Sequence, residues 1–126
     1  MPRTNLILFR EEDGSVPLRD WLASLNPKAR AKCIVRLERL AALGHEIRRP
    51  EGDFLRDGIY ELRVGLEGVH YRMLYFFQGR QAVVVSHGLT KRAEIPAREI
   101  GRAIRNKQRF ERAPDRHTAI LEVDQI

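Results

Sequence analysis

An α+β fold is predicted, with an N-terminal β-strand, a two-helix hairpin, an antiparallel meander sheet and a C-terminal helix. Two observations predict it. Apolar residues recur at helical spacing through Leu43, and they alternate in strand fashion from Ile59 through Val85. Helical spacing then returns from Ala97 to Phe110. At 126 residues the chain fits one domain with its own apolar core, residues 1–126, of which 111–126 read as a tail.

Each element has a local reason. Asn5 to Arg10 is a short apolar run that reads as the first strand, and Glu11 to Ser15 as a charged turn. A helix opens near Pro17, because Leu18, Trp21, Leu22 and Leu25 fall on one face. Asn26-Pro27 is a restart: the asparagine side chain can accept from a first-turn amide, and proline lacks an N–H that the first turn would leave unpaired. Ile34, Leu37 and Ala41 carry this second helix towards Gly44, with Lys28, Lys32, Arg36 and Arg39 on its outer side. Residues 48–58 lose periodicity and contain Pro50, Gly52 and Gly58, which predicts a loop. Ile59 to Val64 and Val69 to Phe77 then read as strands joined across Gly65 to Gly68. Gln78-Gly79-Arg80 turns the chain into the β-branched run Val83-Val84-Val85. Pro96 is a favoured first helical residue, and Arg98, Arg102, Arg105 and Arg109 would align as one basic stripe on the helix that follows.

Composition narrows the function classes. Lys plus Arg number 23 against 17 Asp plus Glu, a formal charge of +6, which favours polyanionic or acidic partners. No run approaches the roughly 18 apolar residues of a membrane helix, and the N-terminal segment lacks the length and cleavage pattern of a signal peptide. Cys33 is the only cysteine, so this chain alone builds no disulfide or thiolate cluster, and a cytoplasmic location is expected. His45, His70, His87 and His117 lack the paired spacing of zinc motifs, and there is no Gly-rich nucleotide loop. No metal or cofactor is expected.

Arg63 and Arg72 fall on neighbouring predicted strands, and Lys91 and Arg92 follow the third, so folding can gather cations on one face. Such a cluster can hold a phosphodiester and stabilise charge developing at phosphorus, or bind an acidic peptide. The same arginines also fit solvated sheet positions. Tyr60, Tyr71 and Tyr75 fit core or rim packing as well as base stacking, and the arginine stripe fits a solvated face, a phosphate track or a docking surface. His45 reads as a helix-end surface residue and His117 as part of the tail.

Taken in order, Tyr60-Glu61-Leu62-Arg63, Tyr71-Arg72-Met73-Leu74-Tyr75 and His87-Gly88-Leu89-Thr90-Lys91-Arg92, then Ile95-Pro96 and a basic helix, resemble the RelE/ParE toxin superfamily, in its HigB-like, phage-derived branch. The resemblance covers residues 6–110 and implies a RelE-like fold. It further implies the toxin of a type II toxin–antitoxin system, a ribosome-dependent mRNA endoribonuclease or mRNA interferase that works without a metal. Its implied partners are the ribosome, mRNA and a cognate antitoxin, a helix-turn-helix DNA-binding protein, with no membrane partner. By resemblance, Arg63 and Arg72 match basic strand positions associated with RNA cleavage, and Lys91 and Arg92 the basic element after the last core strand.

The implied chemistry is attack of a ribose 2′-hydroxyl on the adjacent phosphate. Arginine is a poor general base at neutral pH, so proton transfer needs another group. His87 is favoured because its reference pKa lies near neutrality, with His70, Glu94 and Lys91 as alternatives. The catalytic candidates are therefore Arg72, Arg63, His87 and Lys91, and the RNA-binding candidates Arg92, Tyr71, Arg98, Arg102 and Arg105. The chain departs from RelE in having Ile95-Pro96 near the place of a catalytic tyrosine, and no tyrosine after Tyr75. That departure keeps two alternatives: a non-cleaving ParE-like toxin that inhibits DNA gyrase, and a catalytically inactive RNA- or protein-binding domain.

Overall fold

A computed structural model describes residues 4–90 and 94–122. Lys91 and Arg92 lie outside the described residues. The elements are β1 (Asn5–Phe9), α1 (Pro17–Ser24), α2 (Pro27–Leu43), β2 (Gly52–Arg56), β3 (Ile59–Leu66), β4 (Val69–Gln78), β5 (Ala82–Thr90), α3 (Ala97–Arg112) and β6 (Thr118–Ala119). The strands form one sheet in the order β2-β3-β4-β5-β1-β6, and β3, β4 and β5 make the expected antiparallel meander.

Local chemistry sets the element ends. The Asn26 side chain accepts from the Ala29 amide at 2.9 Å with Pro27 at the start of α2, and Gly44 ends that helix at a φ of 54°. Glu67 and Gly68 both take positive φ, 52° and 78°, the paired left-handed geometry of a tight hairpin between β3 and β4.

Amphipathic patterning places the helices. Leu18, Leu22, Cys33, Leu37 and Leu40 of α1 and α2 are fully buried against one sheet face, where they meet Leu62, Met73, Tyr75 and Val85. The other face packs Ile59, Leu74, Phe76 and Val84 beneath Ala103 and Phe110 of α3. Burial pushes the Cys33 thiol up to about 11, which leaves it uncharged. No helix among the described residues is long and apolar enough to cross a membrane.

Three features differ from the sequence expectation or go beyond it. The predicted loop at 48–58 contains β2, which pairs antiparallel with β3 through Asp57 and Gly58, both at positive φ. The short strand carries too little alternation to announce itself, and the hairpin turn creates it. The first strand, whose partner the sequence left open, lies parallel to β5, with Leu6 opposite Val83 and Leu8 opposite Val85. Its run of Leu8 and Phe9, both 0% exposed, suits a strand covered on both faces. The described part of the expected tail is also folded onto the sheet, since β6 pairs with β1 and His117 is buried. The His117 ring stacks on Phe9 at 4.9 Å and its Nδ1 lies 2.7 Å from the Arg10 carbonyl. His117 therefore closes the edge of the core.

Candidate functional site

Strand alternation and register decide which side chains share the α3 face. Asp53, Glu61, Leu74 and His87 stand opposite one another in one row across β2, β3, β4 and β5. The next row holds Arg63, Arg72 and Leu89, and the row beyond it places His70 opposite Gly65. A glycine there leaves open space beside His70, because a Cβ at Gly65 would meet nothing within 4 Å.

The two arginines that sequence analysis paired are neighbours, and a buried carboxylate holds both. Glu61 is 1% exposed; one of its oxygens bonds Arg63 Nε and the other accepts from Arg72 Nη1 at 3.3 Å. Arg63 Nη2 also lies 3.7 Å from Asp53 Oδ2, which in turn is 2.8 Å from Arg49 Nη2. The result is a chain of alternating charge, Arg49, Asp53, Arg63, Glu61, Arg72. A hydrogen bond from Arg49, helped by the Phe54 amide and the charge of Arg63, holds the Asp53 carboxyl below its ordinary range. Behind the sheet, Arg36 donates to the Arg63 carbonyl, and Arg39 holds the Glu51 carboxyl low through a hydrogen bond.

A guanidinium has five N–H donors, so Arg72 and Arg63 retain donors after satisfying Glu61. With His70 they line a concavity of about 470 Å³ whose wall also includes Arg36 and Tyr71 from the opposite side of the sheet. Within it the His70 imidazole is exposed. This arrangement can present two fixed guanidinium forks and one titratable ring to a single anionic group.

His87 lies on β5, the strand next to Arg72, two residues from Arg72's register partner Leu89, but its ring nitrogens are taken up by Ser86 and Glu99 and not by the arginine site. A β-bulge at Ser86 turns both Ser86 and His87 towards α3. There Asn106 Nδ2 donates to Ser86 Oγ at 2.9 Å, Ser86 Oγ lies 2.8 Å from His87 Nδ1, and His87 Nε2 lies 3.2 Å from Glu99 Oε1. One tautomer satisfies every contact: the serine donates to Nδ1 and Nε2–H donates to the glutamate. Burial, with the charge of Arg102 adding to it, pushes His87 down to about 4 despite Glu99. The ring is neutral at pH 7, 1% exposed, and fastened at both nitrogens.

Tyr71 does not share the arginine face. Its ring is 7% exposed in the core on the side of α1 and α2, set edge-on to Trp21 at 6.4 Å. The arginine stripe of α3 also divides. Arg98 and Arg105 are exposed, whereas Arg102 turns towards His87. Arg109 pairs with Glu11 at 3.2 Å and lies over the Phe9 ring at 5.2 Å.

Glu61, Asp53, Glu99, Ser86 and Asn106 were not singled out as site residues in the sequence. The signal for Glu61 was present, since a strand beginning at Ile59 places Glu61 and Arg63 on the same face. Asp53 had no such signal, because its strand was not legible.

Residues 20–108 match the family described as Phage derived protein Gp49-like (DUF891), a span from within α1 to near the end of α3 that includes the Glu61 site. No curated protein matches the chain.

Proposed function

We propose, on the premise that the chain belongs to the Phage derived protein Gp49-like family, that it is an RNA-directed toxin, a ribosome-dependent mRNA endoribonuclease of a type II toxin–antitoxin system. The single observation that carries this reading is the Glu61-clamped pair Arg63 and Arg72 beside the exposed His70. The resemblance of the three central strands to RelE/ParE toxins supports it.

In this reading the scissile phosphate sits against the two guanidinium forks, whose N–H groups donate to its nonbridging oxygens. The 2′-oxygen attacks phosphorus, the bond to the 5′-oxygen breaks, and a cyclic phosphate and a 5′-hydroxyl result. His70 takes the 2′-hydroxyl proton, and the departing oxygen takes one from solvent. Two residues along one strand face place His70 and Arg72 about 7 Å apart at the backbone, enough for a phosphate between them. Because Glu61 pre-orients the forks, little reorganisation opposes charge development in the transition state. His87 fits a positioning role, tying the first turn of α3 to β5 through Glu99. An acidic segment of a cognate antitoxin would meet the exposed Arg98 and Arg105.

The test is single-turnover cleavage of mRNA on programmed ribosomes. Arg72→Ala should lower the cleavage rate about a hundredfold, the effect of losing one preorganised donor worth about 3 kcal/mol, with ribosome affinity and circular dichroism little changed. Arg72→Lys should recover attraction but not the fork geometry. Retention of the wild-type rate by Arg72→Ala removes this assignment. A wild-type protein that cuts no mRNA but blocks DNA supercoiling by gyrase favours the second reading, for which the absence of a tyrosine after Tyr75 speaks.

A further inference from the structure

We propose that a groove at the free edge of β2 binds a nucleobase of the single-stranded RNA whose phosphate is seated by Arg63 and Arg72. The proposal rests on the reading of those arginines as a phosphate seat. The groove has a volume of about 670 Å³, within the range of small-ligand sites. His45, Phe54, Tyr60, Tyr75 and Phe77 supply its aromatic lining.

These rings are held by one another. His45 stacks on Phe77 at 3.6 Å, Tyr60 stacks on Tyr75 at 5.4 Å, and Phe54 meets Tyr60 edge-on at 5.2 Å. Phe54 stands opposite Tyr60 in the β2–β3 register and is nevertheless 54% exposed. The core does not need it. A large rigid ring left in water beside other rings offers a stacking surface, and every base has a π-face to match.

The floor carries a polar group. Tyr75 is buried along its ring, and its hydroxyl stands at the floor of the groove. It lies 3.1 Å from the point where a Cβ on Gly52 would stand, and that Cβ would also meet Ile47 at 2.9 Å, so glycine keeps the floor open. Burial raises the phenol, which keeps its proton available for donation. The polar edge of a base can accept from that hydroxyl, which an aliphatic side chain cannot do.

Charge and continuity select RNA over other flat ligands. Arg48 and Arg49 line the same groove, and the chain as a whole carries +6. Asp53 belongs to both places: it lines the groove and contacts Arg63 at 3.7 Å. The groove lies on the α1 and α2 side of the sheet, so a strand whose phosphate rests on Arg63 and Arg72 reaches it by passing round the β2 edge, beside Arg49 and Asp53.

The experiment measures binding of a short single-stranded RNA by fluorescence anisotropy as salt is varied. The same RNA is also used with one abasic residue moved along its length. Phe54 is exposed, so Phe54→Ala removes a ring without opening the core, and Tyr75→Phe removes only the hydroxyl. Thermal unfolding checks that both variants remain folded. Each substitution should weaken binding of the intact RNA about tenfold. Neither should change the salt slope or the affinity for the RNA that is abasic at the responsive position. Arg72→Ala should weaken both RNAs alike and reduce the salt slope by about one. If Phe54→Ala and Tyr75→Phe bind as the wild type does while Arg72→Ala is impaired, the groove assignment is overturned and the phosphate seat stands. If the groove variants weaken intact RNA alone and Arg72→Ala has no effect, the groove stands and the seat falls. Equal losses on intact and abasic RNA overturn base recognition and return the open β2 edge to a partner polypeptide. A wild-type protein that binds neither RNA overturns both.

Discussion

Replacing Glu61 with glutamine isolates the contribution of the carboxylate that holds Arg63 and Arg72. The substitution keeps shape and volume but removes a charge that is 1% exposed. At the 3.3 Å separation of Glu61 and Arg72, the attraction of one such pair is about 5 kcal/mol at an effective dielectric of about 20. Desolvation of the carboxylate offsets part of that, and both guanidiniums regain water when released, since Arg63 is 40% and Arg72 17% exposed along the side chain. A net loss of about 2–3 kcal/mol is expected, read as a lower urea midpoint at unchanged slope. Function separates charge from geometry. Glu61→Gln makes the face more positive, so if net charge governs, RNA affinity and cleavage both rise. If the carboxylate acts by aiming the forks, affinity rises or holds while the single-turnover cleavage rate falls by at least tenfold. A stability change below about 0.5 kcal/mol together with an unchanged cleavage rate would falsify the clamp.

Gly88→Ala places a Cβ against the face of the Trp21 ring, so the indole must move and overpacking should destabilise the fold by about 2–3 kcal/mol, measured by thermal or urea unfolding. Wild-type stability at Gly88→Ala would show that Trp21 is free to shift. His87 titrates at about 4 when folded and near 6.5 when unfolded, so the unfolded chain takes up the proton first as pH falls. Its contribution is fully present above about pH 6.5 and is lost as pH drops towards 4, by up to about 3 kcal/mol. Against Glu99 and Arg102, the charged groups facing it, His87→Gln should flatten that part of the pH–stability curve, and identical curves would show that the imidazole does not titrate there.

Much of the architecture was legible along the chain because its signals are local. Asn26-Pro27 and Gly44 bracket α2, helical spacing places Leu18 and Leu22 on one face, and alternation marks β3 and β4. The pairing of Arg63 with Arg72 was within reach as well, since a short turn between antiparallel strands sets the register of everything on either side of it. Other features depended on contacts between residues far apart in sequence. β2 exists because an Asp57-Gly58 turn folds a weakly patterned segment back on β3, and β1 and β6 pair only after the whole chain has crossed the sheet. His87 shows the limit most clearly. Its reference pKa near neutrality suggested a proton-transfer group for the site of the arginines, but a one-residue bulge and the packing of α3 gave its nitrogens to Ser86 and Glu99. His70, one row from Arg72 and opposite a glycine, was left beside them. Sequence determined which residues alternate, cap and turn, because those preferences act over a few bonds. Tertiary structure decided which carboxylate clamps the arginines, which histidines are enclosed and which aromatic rings line the β2 edge, because burial and hydrogen bonding are settled only when distant elements meet.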